Sequence, residues 1–249
     1  MENNFNITSA SVSDRGLSEK RPENEDSFLV LEERGVYAVA DGVGGAQAGD
    51  VASQMAVEIL GEAFINQSSE PDAEDIMRMA IERANSAIYQ MANDLPQLSS
   101  MATTVVALHV QGNIATIGHV GDSRLYVLCD GELEQVTHDD SWAATILAQD
   151  PKIGPADIAH HPLRHVLTNV LGAREHVEIH LTERDLKGGE IMLLCSDGLH
   201  GVMDGDAVRD VLLSTPDLEG AARELVETAM ERGSRDNVTA LLVRYEADI

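Results

Sequence analysis

The sequence predicts an α+β layered fold, antiparallel sheets with helices packed on their outer faces. Three observations carry this. Strand-like runs follow one another instead of alternating singly with helices. The helical stretches come in pairs, one in each half of the chain. No repeat, low-complexity tract or Pro/Ser-rich linker interrupts the 249 residues, so a single domain over residues 1–249 is the simplest organisation. Clustered strands and paired helices suit an α+β arrangement, whereas a doubly wound sheet needs strand–helix alternation.

The elements follow in order. Residues 5–12 alternate weakly and read as an edge strand. Ser27 to Leu31 and Val36 to Ala40 read as two buried strands around a Glu-Glu-Arg-Gly turn. Two amphipathic helices come next. The first carries Val51, Met55, Ile59 and Leu60 on one face; the second carries Ile76, Met79, Ala80, Ala84, Ala87, Ile88 and Met91. Strands are expected at Thr103 to Val110, Ile114 to Val120 and Arg124 to Cys129. Asp130-Gly131 then makes a hairpin turn into Leu133 to Val136. Residues 138–176, rich in His and Pro, read as an irregular to helical flap. Strands at Val177 to Leu181 and Glu190 to Cys195, helices at about 205–214 and 217–231, and a last strand at Val238 to Tyr245 complete the chain.

Composition excludes several function classes. The hydrophobic fraction of 43% supports a full core, and aromatics at 3% leave it to be built from aliphatic side chains and Met. The formal net charge of −26 opposes binding to nucleic acid, which needs Lys and Arg against phosphate. It also opposes an anionic membrane surface. Cys129 and Cys195 lack metal-ligand spacing and read as small buried hydrophobes in a reducing cytosol. The N-terminus has neither basic nor apolar signal regions, and no apolar run is long enough to span a bilayer, so a soluble cytoplasmic protein is expected; the absence of a linker or tail suggests a free single domain, hence a monomer.

The chemistry lies in five short acidic motifs: Arg-Pro-Glu-Asn-Glu-Asp (21–26), Asp-Gly-Val-Gly-Gly (41–45), Gly-Asp-Ser-Arg (121–124), Ser-Asp-Gly (196–198) and Arg-Asp-Asn (235–237). Four sit directly at a strand end and the first leads into one, so one end of a sheet sandwich would gather them. Together they would form a set of hard oxygen ligands that suits Mg²⁺ or Mn²⁺ and not Zn²⁺. Two such ions with an arginine nearby are equipment for attack by water on a phosphate ester. Alone, each Asp-Gly reads as a turn, as Asp130-Gly131 does.

In their order, with the Thr103-Thr104 pair between the second and third, these motifs resemble the PPM family, the metal-dependent type 2C Ser/Thr protein phosphatases, in its compact bacterial form. The resemblance covers nearly the whole chain. It implies a four-layer α-β-β-α sandwich, two antiparallel sheets face to face and flanked by helices. It also implies hydrolysis of phosphoserine and phosphothreonine monoesters by a metal-activated water in a dinuclear Mn²⁺ or Mg²⁺ centre. The expected partners are phosphorylated proteins and a cognate Ser/Thr kinase. Residue by residue, Asp41 matches the carboxylate bridging two ions and Gly42 lends a backbone carbonyl. Asp197 and Asp236 match the remaining ligands. Asp122 with Asp197 matches a site for a third ion. Glu25 and Asp26 match a pair that holds metal-bound waters, with some direct ligation. Arg21 matches the phosphate-binding arginine.

Two positions depart from the family pattern. Val43 stands where many eukaryotic members have a histidine proposed as general acid, and Ala102 stands where the family has Gly before the Thr pair. His160, His161 and His165 invite a zinc reading, but no Glu accompanies them as in His-Glu-x-x-His and Pro162 interrupts the helix, so they are assigned to the flap. The alternative function is a catalytically weak or inactive phosphoprotein-binding regulator; the retained Asp41, Asp197 and Asp236 count against it.

Overall fold

The computed structural model describes residues 5–18, 23–44, 48–66, 72–150, 152–158 and 161–247. Eleven strands lie within them: β1 (Phe5–Asp14), β2 (Asp26–Leu31), β3 (Val36–Val43), β4 (Ala102–Thr103), β5 (Val105–Gln111), β6 (Ile114–Val120), β7 (Arg124–Cys129), β8 (Glu132–Gln135), β9 (His180–Asp185), β10 (Glu190–Cys195) and β11 (Val238–Ala247). The α-helices are α1 (Gly49–Ile65), α2 (Ala73–Asp94), α3 (Trp142–Gln149), α4 (Pro155–Ile158), α5 (Asp197–His200), α6 (Gly205–Ser214) and α7 (Leu218–Glu231).

The strands form two antiparallel sheets. One runs β1-β11-β10-β7-β8; the other runs β2-β3-β5-β6-β9, with β4 paired to β3. Three apolar layers hold the stack together. Tyr37, Val106, Leu108, Met192, Leu194 and Leu241 belong to the layer between the sheets. Helices α1 and α2 cover the second sheet with Ala52, Ala56, Leu60, Ile81 and Ile88. Helices α6 and α7 cover the first with Val208, Leu212, Leu225 and Val226. The expected four-layer sandwich is the observed one.

The local signals are physical. Asp72, Asp204 and Asp217 cap α2, α6 and α7, each accepting a bond from a backbone N–H of the first turn. At the β7–β8 hairpin Asp130 (φ 52°) and Gly131 (φ 82°) take the left-handed conformation that a two-residue turn requires.

The structure corrects several expectations. β2 is an edge strand, largely half-buried, with Phe28 exposed; its neighbour β3 is buried from Val36 to Gly42. The buried face of α1 mixes small residues (Ala52, Ser53, Ala56, Gly61) with Val57, Leu60 and Phe64; Val51, Met55 and Ile59 are only partly buried beside it. Small side chains let α1 lie close on β2 and β3, which an apolar count does not weigh. Met79 of α2 is exposed, and Met77 and Ile81 take the core positions. The strand expected from Val177 begins at His180, because Val177 and Ile179 turn in to pack on the α1–α2 core. Thr104 splits the strand expected at Thr103 to Val110, its backbone N–H being given to Asp41. Cys195 is buried but Cys129 only partly so.

Candidate metal centre

The two sheets end together at one edge of the sandwich, and a cleft of about 1170 Å³ opens there. Glu25, Asp41, Gly42, Asp122, Asp197 and Asp236 all line it. Asp26, the first residue of β2, lies opposite Asp41 in the β2–β3 ladder. Seven of the eight proposed site residues therefore converge from β2, β3, the β6–β7 turn, α5 and the β11 entry. The eighth, Arg21, lies outside the described residues, as does His160.

Each position is held by backbone chemistry the sequence only hints at. Asp41 donates its N–H to Thr104 Oγ1 at 3.0 Å, and its carbonyl accepts from Thr103 Oγ1 and Thr104 N, both at 2.9 Å. The Thr pair thus locks the last turn of β3. At Gly42 a Cβ would collide with the backbone carbonyls of Gly49 and Glu25, so only glycine lets these three segments meet. Gly42 N–H donates to Glu25 O at 3.1 Å, and Ser53 Oγ donates to the same carbonyl at 2.6 Å. The Glu25 carboxylate rests on Gly49, the first residue of α1, where the helix N-terminus favours negative charge. Asn237 receives Glu25 N–H on Oδ1 at 2.9 Å and donates from Nδ2 to Arg15 and Glu23 carbonyls, tying the β11 entry to the segment before β2.

Asp26 is buried, and its Oδ2 accepts from Ser196 Oγ at 2.6 Å and Thr239 Oγ1 at 2.7 Å. Its Oδ1 is buried and has no hydrogen-bond partner among the described residues. Burial pushes the Asp26 carboxyl up to about 7; the two hydroxyls work against the rise, and Asp197 and Asp236 add to it. Asp41 is held well above the usual carboxylate range by burial, then by repulsion from Asp26, Asp197, Asp236 and Asp122. Burial, Asp197 and Asp139 likewise push Asp122 up to about 7.

A set of carboxylates that raise one another, one with a bare buried oxygen, is satisfied by cations. All donors are oxygen, which suits Mg²⁺ or Mn²⁺. Among the described residues no three His, Cys, Asp or Glu side chains close into a cage of their own. The carboxylates are instead spread around the cleft, as suits ions that keep several waters and take one or two carboxylates each. The residues fit such ions. The histidines fit zinc less well: His161 stacks on Trp142 with ring centroids 4.1 Å apart, and Nδ1 accepts from Leu163 N–H. His165 lines the cleft on the exposed flap.

Behind Asp122 lie contacts that motif reading missed. Arg124 grips both Asp139 oxygens, at 2.8 and 2.7 Å, and donates to Tyr126 Oη at 2.8 Å. His200 Nε2 stands 3.0 Å from Asp122 O; a carbonyl only accepts, so this nitrogen carries the proton. Burial, with Arg124 adding to it, lowers the His200 ring to about 3, keeping it neutral. Ser196 and His200 flank Asp197 in the sequence, a signal of proximity. Asp139 and Thr239 carry no signal of their own; only pairing brings them in.

The chain is similar to known proteins over nearly all of its length. Residues 18–243 match the family described as Protein phosphatase 2C. The serine/threonine protein phosphatase PstP of Mycobacterium tuberculosis is 37% identical over 235 residues, 94% of this chain, which spans only 44% of that protein's length. The serine/threonine phosphatase stp of Listeria welshimeri is 35% identical over 229 residues, 90% of each chain. Among solved structures, the catalytic domain of the phosphatase PstP in complex with two manganese ions superposes with a TM-score of 0.86 at 34% identity, over 98% of this chain and 100% of that one.

Proposed function

The chain belongs to the protein phosphatase 2C family, and on that footing we propose that it is a metal-dependent protein serine/threonine phosphatase. The observation that carries the reading is the meeting of Asp26, Asp122, Asp197 and Asp236, from motifs spread across the sequence, around Asp41 at one cleft. Substrates are phosphoserine and phosphothreonine monoesters of proteins, and the enzyme opposes a Ser/Thr protein kinase as a cytoplasmic monomer, residues 1–249 forming one phosphatase domain. Among the described residues no helix is long and apolar enough to cross a membrane.

The residues divide the work. Asp41, the carbonyl of Gly42, Asp197 and Asp236 would hold two Mn²⁺ or Mg²⁺ ions. Asp122 with Asp197 would hold a third. Glu25 and Asp26 orient water at the centre, Asp26 kept in place by Ser196 and Thr239. When bound, the cations supply Lewis acidity that activates water for attack on phosphorus and offsets charge on the phosphate oxygens. Arg21 grips the phosphate through paired N–H donors. Val43, 39% exposed in the cleft, has no proton to give, so the departing alkoxide takes its proton from another source.

The test is hydrolysis of a phosphothreonine peptide with Mn²⁺, with EDTA, and by Asp197→Ala with Mn²⁺. Turnover that needs the metal and disappears in the variant supports the reading. A folded protein that binds Mn²⁺ without turnover sinks it in favour of a phosphoprotein-binding regulator.

A further inference from the structure

The cleft has a second wall that the hydrolytic chemistry does not use. Helix α3 reads Trp-Ala-Ala-Thr-Ile-Leu-Ala-Gln, without a single charge in a chain of net charge −26. A helix of that composition ordinarily turns its apolar side into a core, yet no residue of α3 is buried. Ala143, Ala144 and Leu147, spaced along one face, look into the cleft, joined by Ile158 and Leu167.

The wall is fixed in place. Ser141 caps α3 by accepting from Ala144 N at 3.2 Å and pairs with Leu167 in a β-bridge. Trp142 N–H donates to Val166 O at 2.8 Å, and the Trp142 ring stacks on His161. An apolar surface therefore stands facing the carboxylates in one continuous space. At about 1170 Å³ that space lies above the ~300–1,000 Å³ usual for a small ligand, with room for neighbours of a phosphorylated residue.

Resting on the phosphatase reading, we infer that this wall selects phosphoprotein segments carrying an aliphatic side chain close to the phosphorylated Ser or Thr. A polar neighbour gains nothing from the wall. An aliphatic one removes apolar surface from water on both partners.

The experiment compares phosphothreonine peptides on a glycine background, with one leucine moved through the three positions on each side. In the Mn²⁺-loaded protein, kcat/KM for the best leucine position exceeds that of the all-glycine peptide about tenfold, the lower end for an aliphatic group in an apolar pocket. In Leu147→Ser the ratio falls toward one, while Leu147→Met retains it. Because the ratio compares two substrates of one preparation, a partly folded variant still reports. A non-hydrolysable phosphonate version of both peptides gives the same ratio in affinity, followed by the fluorescence of Trp142, the only tryptophan. Peptides hydrolysed equally well wherever leucine stands overturn the inference and leave the phosphatase reading intact. A preference that survives both Leu147→Ser and Leu167→Ser overturns the assignment to this wall. No hydrolysis of any peptide, with the leucine preference kept in phosphonate binding, removes the phosphatase reading alone.

Discussion

At the scale of single residues, the acidic cluster depends on neighbours that carry no charge. Ser196 and Thr239 hold one Asp26 oxygen and leave the other bare. Removing both hydroxyls frees the carboxylate to rotate. The double variant Ser196→Ala/Thr239→Ala is expected to bind Mn²⁺ about 10–100-fold more weakly, the usual loss when an outer contact to a ligand is cut. Isothermal titration with Mn²⁺ reads this directly; unchanged affinity would exclude a role for Asp26 at the centre. Arg124 is a different case, since its fork matches both oxygens of a mostly buried Asp139. Arg124→Lys keeps the charge but loses the second bond and the contact to Tyr126, so a loss of about 1–3 kcal/mol is expected in a urea titration.

At the scale of elements, close approach decides more than hydrophobic count. The end of β3, the start of α1 and the segment before β2 meet at Gly42, where two backbone carbonyls occupy the space of a Cβ. Gly42→Ala forces these three apart. A loss of about 1–3 kcal/mol is expected from overpacking, together with weaker Mn²⁺ binding because Asp41 and Glu25 sit on the displaced segments. A variant that melts normally and binds Mn²⁺ normally would contradict this. Asn85 plays the corresponding part for the C-terminal end of the flap. Buried in the middle of α2, it donates to the Arg174 and Glu175 carbonyls and accepts from Gly172 N–H. Asn85→Ala strands these groups and is expected to cost about 1–3 kcal/mol in a denaturant titration. Helix periodicity marks Asn85 as core-facing but says nothing about what it holds.

At the scale of the whole molecule, the cluster makes stability depend on pH and metal together. In the metal-free protein Asp26 and Asp122 titrate near 7, against about 3.9 for an unfolded aspartate. A raised folded value favours the native state most below the unfolded value, and the contribution is lost as pH climbs toward 7. These groups therefore make the metal-free protein progressively less stable between about pH 4 and pH 7. Cations favour the ionised carboxylates and compete with protons, so the gain in Tm on adding Mn²⁺ is expected to be larger at pH 7.5 than at pH 5. At a Mn²⁺ concentration of 100 Kd the gain is about 2.7 kcal/mol. Equal gains at the two pH values would show that the carboxylates are not the binding groups.

The sequence by itself determined the layered α+β class, most strand positions, the capped helices and the aspartates that meet in the cleft. These are written in local terms: turn residues, alternation, an Asp before a helix, an Asp-Gly at a strand end. Only the tertiary structure decided that β2 lies at an edge, that α1 buries Ala52, Ala56, Val57 and Phe64 beside Leu60 while Val51, Met55 and Ile59 stay partly buried, and that Thr239 and Asp139 belong to the site. Such facts come from pairing between residues far apart in the chain, as in Thr239 Oγ1 to Asp26 Oδ2 across the two sheets. Local pattern fixes what each segment is; long-range packing fixes what it stands beside, and the chemistry of the cleft depends on both.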